Sequence, residues 1–189
     1  MKPKARVTLL VAVLGLALLV LGCSDLEETD TGGVVLKVDF VNVPGQIGVN
    51  DQTEVTIPTI EIESIVPNVA DGQSQLMDVL VDLYEVTYSR ADTGTRVPQA
   101  FIFKRASTVP VSSTLTLTNF PVLGRAQMES EPLADLLFEN GGIDRETNSS
   151  LIRMNVTFQI FGKTLAGDEV ASTPVTETLE FVPSVAVTP

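Results

Sequence analysis

Residues 152–160 read Ile-Arg-Met-Asn-Val-Thr-Phe-Gln-Ile, and this stretch decides the fold class. Apolar side chains occupy every second position, and polar side chains fill the positions between them. Successive side chains of a β-strand point to opposite faces of a sheet, whereas an α-helix repeats every 3.6 residues. The alternation therefore predicts a strand with one face in the core and the other in solvent, as antiparallel sheets commonly have.

Six further stretches have strand patterns and are separated by turn signals such as Pro44-Gly45 and Gly167-Asp168. Seven strands with little helix indicate an all-β protein. Their number and spacing favour a two-layer antiparallel β-sandwich of immunoglobulin-like type over residues 34–183. A small closed β-barrel is the alternative. The six further predicted strands cover residues 34–42, 54–66, 77–90, 101–106, 113–120 and 175–182.

Two features interrupt the strand pattern. Val81 and Leu83 belong to one alternation and Tyr84 and Val86 to the next, although a strand cannot change phase without an extra residue. We therefore predict a β-bulge near Leu83 and Tyr84. Pro58 interrupts the second strand, which predicts an edge position or a bulge there because proline has no N–H to donate.

In the segment before residues 152–160 the apolar residues have a different spacing. Its leucines lie at helical spacing after Pro132, and Asn-Gly-Gly at 140–142 ends the run, so a short helix is predicted over residues 131–139. We expect its apolar face to pack on the sandwich, the alternative being an exposed docking surface. The apolar residues concerned are Met128, Leu133, Leu136, Leu137 and Phe138.

The N-terminus has the order of a secretory signal peptide. Lys2, Lys4 and Arg6 come first, and a nearly uninterrupted apolar run follows from residue 7 to residue 21. A helix needs roughly 20 apolar residues to span a bilayer, and this run is shorter. A removable signal is therefore expected rather than a transmembrane anchor.

Val20, Leu21, Gly22 and Cys23 resemble the lipobox of bacterial lipoproteins, in which two apolar residues and a small residue precede a cysteine. The resemblance implies a signal peptide of residues 1–22, cleavage before Cys23 and diacylglycerol on the Cys23 sulfur. A further acyl chain on the new amino group often accompanies it. Two or three long chains hold a protein stably on a membrane. Apart from this covalent lipid, no cofactor is expected.

Residues 23–33 contain four acidic side chains and one leucine, and they are predicted to be an acidic tether. Ser24 after the lipid-bearing cysteine resembles the outer-membrane default of Gram-negative lipoproteins, in which aspartate at that place favours the inner membrane. The expected location is the bacterial cell envelope, with the outer membrane favoured and the side it faces left open. Residues 184–189 are predicted to be a tail.

The stretch from Tyr84 to Gly94 is similar to the third strand and following turn of fibronectin type III and related sandwich domains. This resemblance covers a single strand. It implies the same sandwich architecture that the strand count predicts.

Composition excludes several classes of function. The sequence has no histidine, which excludes Ser-His-Asp hydrolysis and histidine-ligated metal sites. All 24 acidic residues follow Cys23, whereas three of the 12 basic residues precede it, so the mature chain carries a net charge of −15. A nucleic-acid partner is not expected, because phosphate backbones are bound by basic surfaces.

Asp144, Glu146 and Asn148 form a candidate calcium site. Oxygen-bearing side chains at alternate positions are how a calcium loop begins. Ser149 and Asn155, however, stand where an EF-hand requires glycine and glutamate. A turn closed by a carboxylate and an asparagine explains the three residues more simply.

Glu61 and Glu63 form a candidate acid pair. Both point to the same face of one strand about 7 Å apart, which lies within the range for glycosidic hydrolysis. Half-exposed strands carry such pairs routinely, and without a cleft the pattern does not indicate catalysis. A carbohydrate platform is a further candidate, for which core packing is the simpler explanation; its aromatic residues would be Tyr84, Tyr88, Phe101 and Phe103.

Together these observations favour a non-enzymatic, lipid-anchored β-sandwich that binds an envelope protein or has a structural role in an assembly. The alternative is a carbohydrate- or calcium-binding module of an adhesion or uptake system. A second alternative is a carboxylate-pair hydrolase. The membrane is the expected partner through the lipid, and the protein partner is not identified.

Overall fold

A computed structural model describes residues 33–67 and 74–185. These residues form an all-β structure with a few single-turn helices. The strands are β1 (Val35–Val41), β2 (Gln46–Gly48), β3 (Val55–Ile65), β4 (Val79–Arg90), β5 (Phe101–Val109), β6 (Thr114–Leu123), β7 (Ile152–Thr164), β8 (Glu169–Ala171) and β9 (Val175–Val182). One α-helical turn, α1 (Arg125–Met128), is accompanied by 3₁₀ turns at Gln75–Met77, Leu133–Leu136 and Phe138–Asn140.

The strands form two sheets that enclose one core. The smaller sheet has the order β1-β3-β6, and the larger has the order β2-β9-β7-β4-β5 with β8 beside β7. Neighbouring strands are antiparallel except β2, which runs parallel to β9. When the seven predicted strands are counted alone, the first, second and fifth (β1, β3 and β6) form one sheet and the third, sixth and seventh (β4, β7 and β9) lie in the other, as in immunoglobulin-like sandwiches. The fourth, β5, lies beside the third, whereas in the constant type it belongs to the sheet of the first strand. The predicted sandwich is confirmed.

All seven predicted strands are present, and two strands of three residues each, β2 and β8, were not predicted. Strand β7 shows the alternation on which the prediction rested, since its apolar residues are buried from Ile152 to Ile160. Strands β2 and β8 are too short for an alternation to be visible in the sequence. Their pairing partners, not their own residues, make them strands.

The predicted bulge is confirmed. The pairing of β4 with β7 shifts between Val81 and Leu83, so Asp82 is the extra residue. Tyr84 then occupies an inward position and is fully buried. Strand β3 lies between β1 and β6 and is not an edge strand, but β1 ends at Val41, opposite Thr59, so β3 has no β1 partner at Pro58.

The predicted helix over residues 131–139 is wrong in form. Two 3₁₀ turns occupy the segment and are separated by Leu137, whose backbone is extended at φ −64° and ψ 140°. A continuous helix would have placed Leu133 and Leu136 on one helical face. The two short turns instead bury both leucines, together with Met128, beneath the end of the sandwich.

The sandwich has two ends, which we name by whether the described chain enters β1 there. The proximal pole is where the chain enters β1 and where β3–β4, β5–β6 and β7–β8 connect. Hydrogen bonds join these connections: Val111 N donates to the Asp78 carboxylate at 2.8 Å, and Leu165 N donates to the Asp78 carbonyl at 2.9 Å. The distal pole carries residues 42–54, 91–100, 124–151 and 183–185.

Candidate functional site at the distal pole

Ionised side chains that are unusually well buried hold the distal pole together. Arg90 ends β4, and its side chain is 2% exposed. It donates two hydrogen bonds to Asp92, at 2.7 and 2.9 Å, and one to Asp144, at 2.8 Å. The Asp144 side chain is completely buried, so it depends on such partners for the solvation that water would otherwise supply.

A second arginine extends this cluster, and Arg145 also contacts Asp135 at 3.3 Å. Arg96 lies in the β4–β5 loop and donates to Asp144 at 3.2 Å, to Asp135 at 3.0 Å and to Glu131 at 2.8 Å. Two arginines thus tie the β4–β5 loop to the long β6–β7 connection. We call the group the arginine–carboxylate cluster; its members are Arg90, Arg96, Asp92, Glu131, Asp135, Asp144 and Glu146.

Glu146 caps the β4–β5 loop rather than facing an open space. One carboxylate oxygen accepts hydrogen bonds from the Thr95 backbone at 2.8 Å and the Thr95 hydroxyl at 2.6 Å. The other accepts from Arg96 N at 3.0 Å. The Thr95 hydroxyl bond and these backbone N–H groups lower the pKa of Glu146 to about 2.

Asp144 is also held ionised. Burial alone would raise its pKa, but hydrogen bonds from Arg90, from the Thr147 hydroxyl and from Glu146 N outweigh desolvation and lower the pKa to about 2. A hydrogen bond to a charged carboxylate stabilises the charged form, which is why the net shift is downward. The two carboxylates among the candidate calcium ligands, Asp144 and Glu146, are therefore stable anions paired within the protein.

The candidate calcium residues occupy one tight turn without forming an open ligand cage. Asn148 adopts φ +54°, a left-handed conformation that asparagine tolerates, and its N–H donates to the Asp144 carbonyl at 2.8 Å. The carboxylates of Asp144 and Glu146 contact guanidinium groups and N–H donors. Within residues 33–67 and 74–185, no three acidic side chains gather as metal ligands would.

A cleft of about 720 Å³ lies beside the cluster at the same pole. The β2–β3 loop from Val49 to Thr53 forms one wall, and α1 with the 3₁₀ turn Phe138–Asn140 forms the other. Asn50 joins the walls: its amide donates to Leu136 O at 3.2 Å and to Pro183 O at 2.7 Å, and its oxygen accepts from Phe138 N at 3.1 Å.

Phe138 is the exposed aromatic side chain of this cleft, with 65% of its surface accessible. The expectation that the leucine-rich segment packs on the sandwich holds for Met128, Leu133 and Leu136, which are buried. It does not hold for Phe138. An exposed phenylalanine on a concave surface is typical of a contact for a partner, because burying an aromatic ring contributes strongly to binding.

The other candidate residues lie away from this cleft. Glu61 and Glu63 are exposed on the outer face of β3, opposite Asp39 and Lys37 of β1. Their side chains face solvent and do not line the cleft. The predicted platform aromatics pack inward instead: Tyr84 is buried against Phe103, Phe120 and Phe158, with ring centroids 5.0 to 6.4 Å apart.

The lipobox residues Val20, Leu21, Gly22 and Cys23 lie outside the described residues, as do the rest of the signal segment and most of the tether. Residues 186–189 of the predicted tail lie outside them too. Ser184 and Val185 are described, and both donate hydrogen bonds of 2.8 Å to the Asp51 carboxylate. In the described part of the chain, no helix is long and apolar enough to cross a bilayer.

Sequence reasoning missed Arg90 and Arg96. Arg90 closes a predicted strand, and its partner Asp144 follows 54 residues later, so no local spacing connects them. The only local hint of the cluster is the sequence Arg90-Ala-Asp92, which does not differ from an ordinary polar turn. The chain matches no protein-family model, and the searches of curated proteins and of solved structures found no match.

Proposed function

We propose that this protein is a lipid-anchored component of a bacterial cell envelope whose β-sandwich binds another envelope protein without catalysing a reaction. The lipobox-like residues ending at Cys23 support the anchor. One structural observation supports the binding role: the cleft with exposed Phe138 lies at the pole opposite to the one where the chain enters. A domain held at its proximal pole would present this cleft away from the membrane.

The arginine–carboxylate cluster supports the same proposal. It fixes the β6–β7 connection to the β4–β5 loop through buried charges, so the surface that carries Phe138 is held in one geometry before a partner arrives. A preorganised surface loses less conformational entropy on binding. The cleft lacks histidine and cysteine, and its cation Arg125 is paired with Glu129 at 2.6 Å, which favours binding over catalysis.

The anchor is tested by the Cys23→Ser variant in cell fractionation. Without the thiol no diacylglycerol can be attached, so we expect the protein to leave the membrane fraction completely. The matched control is Leu21→Ala, which changes the adjacent recognition site to a more common lipobox residue and should leave the protein on the membrane. If the Cys23→Ser protein still sediments with membranes, or if the native protein has an unmodified Cys23 by mass spectrometry, the anchor is refuted.

The binding role is tested by a photoreactive amino acid at position 138, compared with the same residue at position 61. Both positions are exposed, but Glu61 lies on the flat outer face of the smaller sheet. We expect one discrete cross-linked adduct from position 138 in intact cells. The adduct should be lost when a second substitution, Gln52→Trp, fills the cleft. Equal cross-linking from both positions would refute the distal surface as the binding site.

A further inference from the structure

The proximal pole exposes large apolar side chains where two connections meet. Leu76, in the 3₁₀ turn before β4, is 59% exposed, and Leu165, just after β7, is 55% exposed. Their backbones are adjacent, since Ala166 N donates to Leu76 O at 3.0 Å. Val35 and Ile65 are also exposed at this end, on the outer face of the smaller sheet, and Leu80 is exposed on the outer face of the larger sheet. This pole therefore offers an apolar surface to whatever lies beyond it.

The position of the tether indicates what lies there. Gly33 is close to the Met77 side chain, the residue next to Leu76, so the chain arrives at this apolar surface. Cys23 precedes Gly33 by ten residues. A fully extended chain of that length spans at most about 35 Å. A lipid on Cys23 would hold the proximal pole within that distance of the bilayer.

The charges near the proximal pole favour a zwitterionic bilayer over an anionic one. Two lysines close to this pole are already paired: Lys163 with Glu169 at 3.2 Å and Lys37 with Asp39 at 2.7 Å. The tether adds four carboxylates and no cation. Anionic headgroups would therefore be repelled, whereas zwitterionic headgroups would carry no such penalty.

We propose that the proximal pole rests on a zwitterionic phospholipid surface, with Leu76 and Leu165 inserted at the boundary between headgroups and acyl chains. The proposal builds on the lipid anchor of the proposed function. Two leucines alone would bind a membrane weakly, but an anchor ten residues away makes the contact intramolecular and raises the effective concentration. The consequence is a fixed orientation: the domain stands on this pole, and Phe138 points away from the lipid.

The test uses the absence of tryptophan from the sequence, which makes any introduced tryptophan a unique fluorophore. Leu76→Trp and Leu165→Trp are made separately in the full lipidated protein, and Phe138→Trp serves as the control at the distal pole. Each protein is inserted into phosphatidylethanolamine–phosphatidylcholine vesicles with brominated acyl chains, which quench tryptophan on contact. We expect the L76W and L165W emission to shift to the blue and to lose most of its intensity, while the F138W emission stays unchanged.

Equal quenching at all three positions, or none at any, would overturn the proposal. Emission of L76W or L165W that shifts with protein concentration before lipid is added would overturn it in favour of a second copy of the chain. Replacing the zwitterionic lipid by phosphatidylglycerol should reduce the quenching, and stronger quenching there would contradict the charge argument. Because the two leucines are replaced separately, one poorly folded variant leaves the other as a test.

The outcome is also separable from failure of the anchor. If Cys23 proves to be unlipidated, its thiol is the only one in the chain and can be coupled to maleimide-bearing phospholipid. The same quenching measurement then tests the contact of the proximal pole. Mass spectrometry of Cys23 decides the anchor, and tryptophan quenching decides the orientation.

Discussion

Among the described residues both poles of the sandwich expose apolar side chains, but only the distal pole has loops joined by buried ion pairs. The distal pole buries charge: Arg90 and Asp144 are almost inaccessible, and hydrogen bonds fix the loops around them. The proximal pole exposes apolar surface: short turns carry Leu76 and Leu165 into solvent. Buried ion pairs are rigid because breaking one leaves an uncompensated charge, whereas exposed leucines constrain little until something covers them. The contrast supports a distal pole shaped to present a fixed surface and a proximal pole suited to lie against another one.

Arg90→Met is the substitution with the largest expected effect on the stability of the distal pole. Removing the guanidinium leaves Asp144 buried with Arg96 as its remaining cation, so we expect a loss of about 3–5 kcal/mol in the free energy of unfolding. Urea denaturation followed by circular dichroism measures it. The control is Arg125→Met at the rim of the cleft, where an exposed ion pair contributes less than about 0.5 kcal/mol. Similar losses of stability in both variants would mean that the buried ion pairs of the cluster stabilise the fold no more than an exposed ion pair does.

Gly162→Ala tests how tightly the proximal half of the larger sheet is packed. A Cβ atom there would lie 2.5 Å from Leu80 O and 2.9 Å from Val81 Cα, and neither backbone atom can move aside easily. We expect a loss of about 1–3 kcal/mol by overpacking, measured by thermal or urea unfolding. Gly45→Ala is the control, because no atom lies within 4 Å of its added methyl group. A neutral Gly162→Ala would show that β4 and β7 are less tightly packed beside the bulge.

Acid should loosen the distal pole before the proximal one. The folded-state pKa values of Asp144 and Glu146 are lowered to about 2, from ordinary values of 3.8 and 4.5. Their contribution to stability is therefore complete above about pH 5 and is lost as the pH falls towards 2. Hydrogen exchange should show residues 131–150 losing protection in that window while residues 79–81 and 107–109, at the proximal ends of β4 and β5, remain protected. In Asp144→Asn the pH dependence should be weaker; an unchanged dependence would exclude Asp144 as its source.

Most of the fold could be predicted because it depends on local periodicity. The alternation in β7 identified a strand with a buried face, and the phase change around Leu83 and Tyr84 located the bulge within two residues of Asp82. The leucine-rich segment was harder. Its apolar spacing suits a helix, but burying Leu133 and Leu136 beneath the sandwich required two short turns with an extended Leu137 between them.

The candidate site could be predicted only in part. Asp144 and Glu146 were singled out for their spacing, and both are central to the distal pole. Their partners Arg90 and Arg96 were not, since an ion pair across 54 residues leaves no trace in the local pattern. The exposure of Phe138 was also invisible, because an apolar residue next to buried leucines has the same sequence pattern whether it faces the core or solvent.

The sequence by itself determined the seven longer strands, the inward face of each, and the lipobox-like segment from which an anchor is proposed. Each follows from residues within a few positions of one another, where backbone geometry imposes its period. Only the tertiary structure decided that carboxylates with calcium-like spacing would meet arginines, and that the cleft and the exposed leucines would lie at opposite ends. Those outcomes depend on which strands become neighbours, and the long-range packing of the two sheets makes that choice.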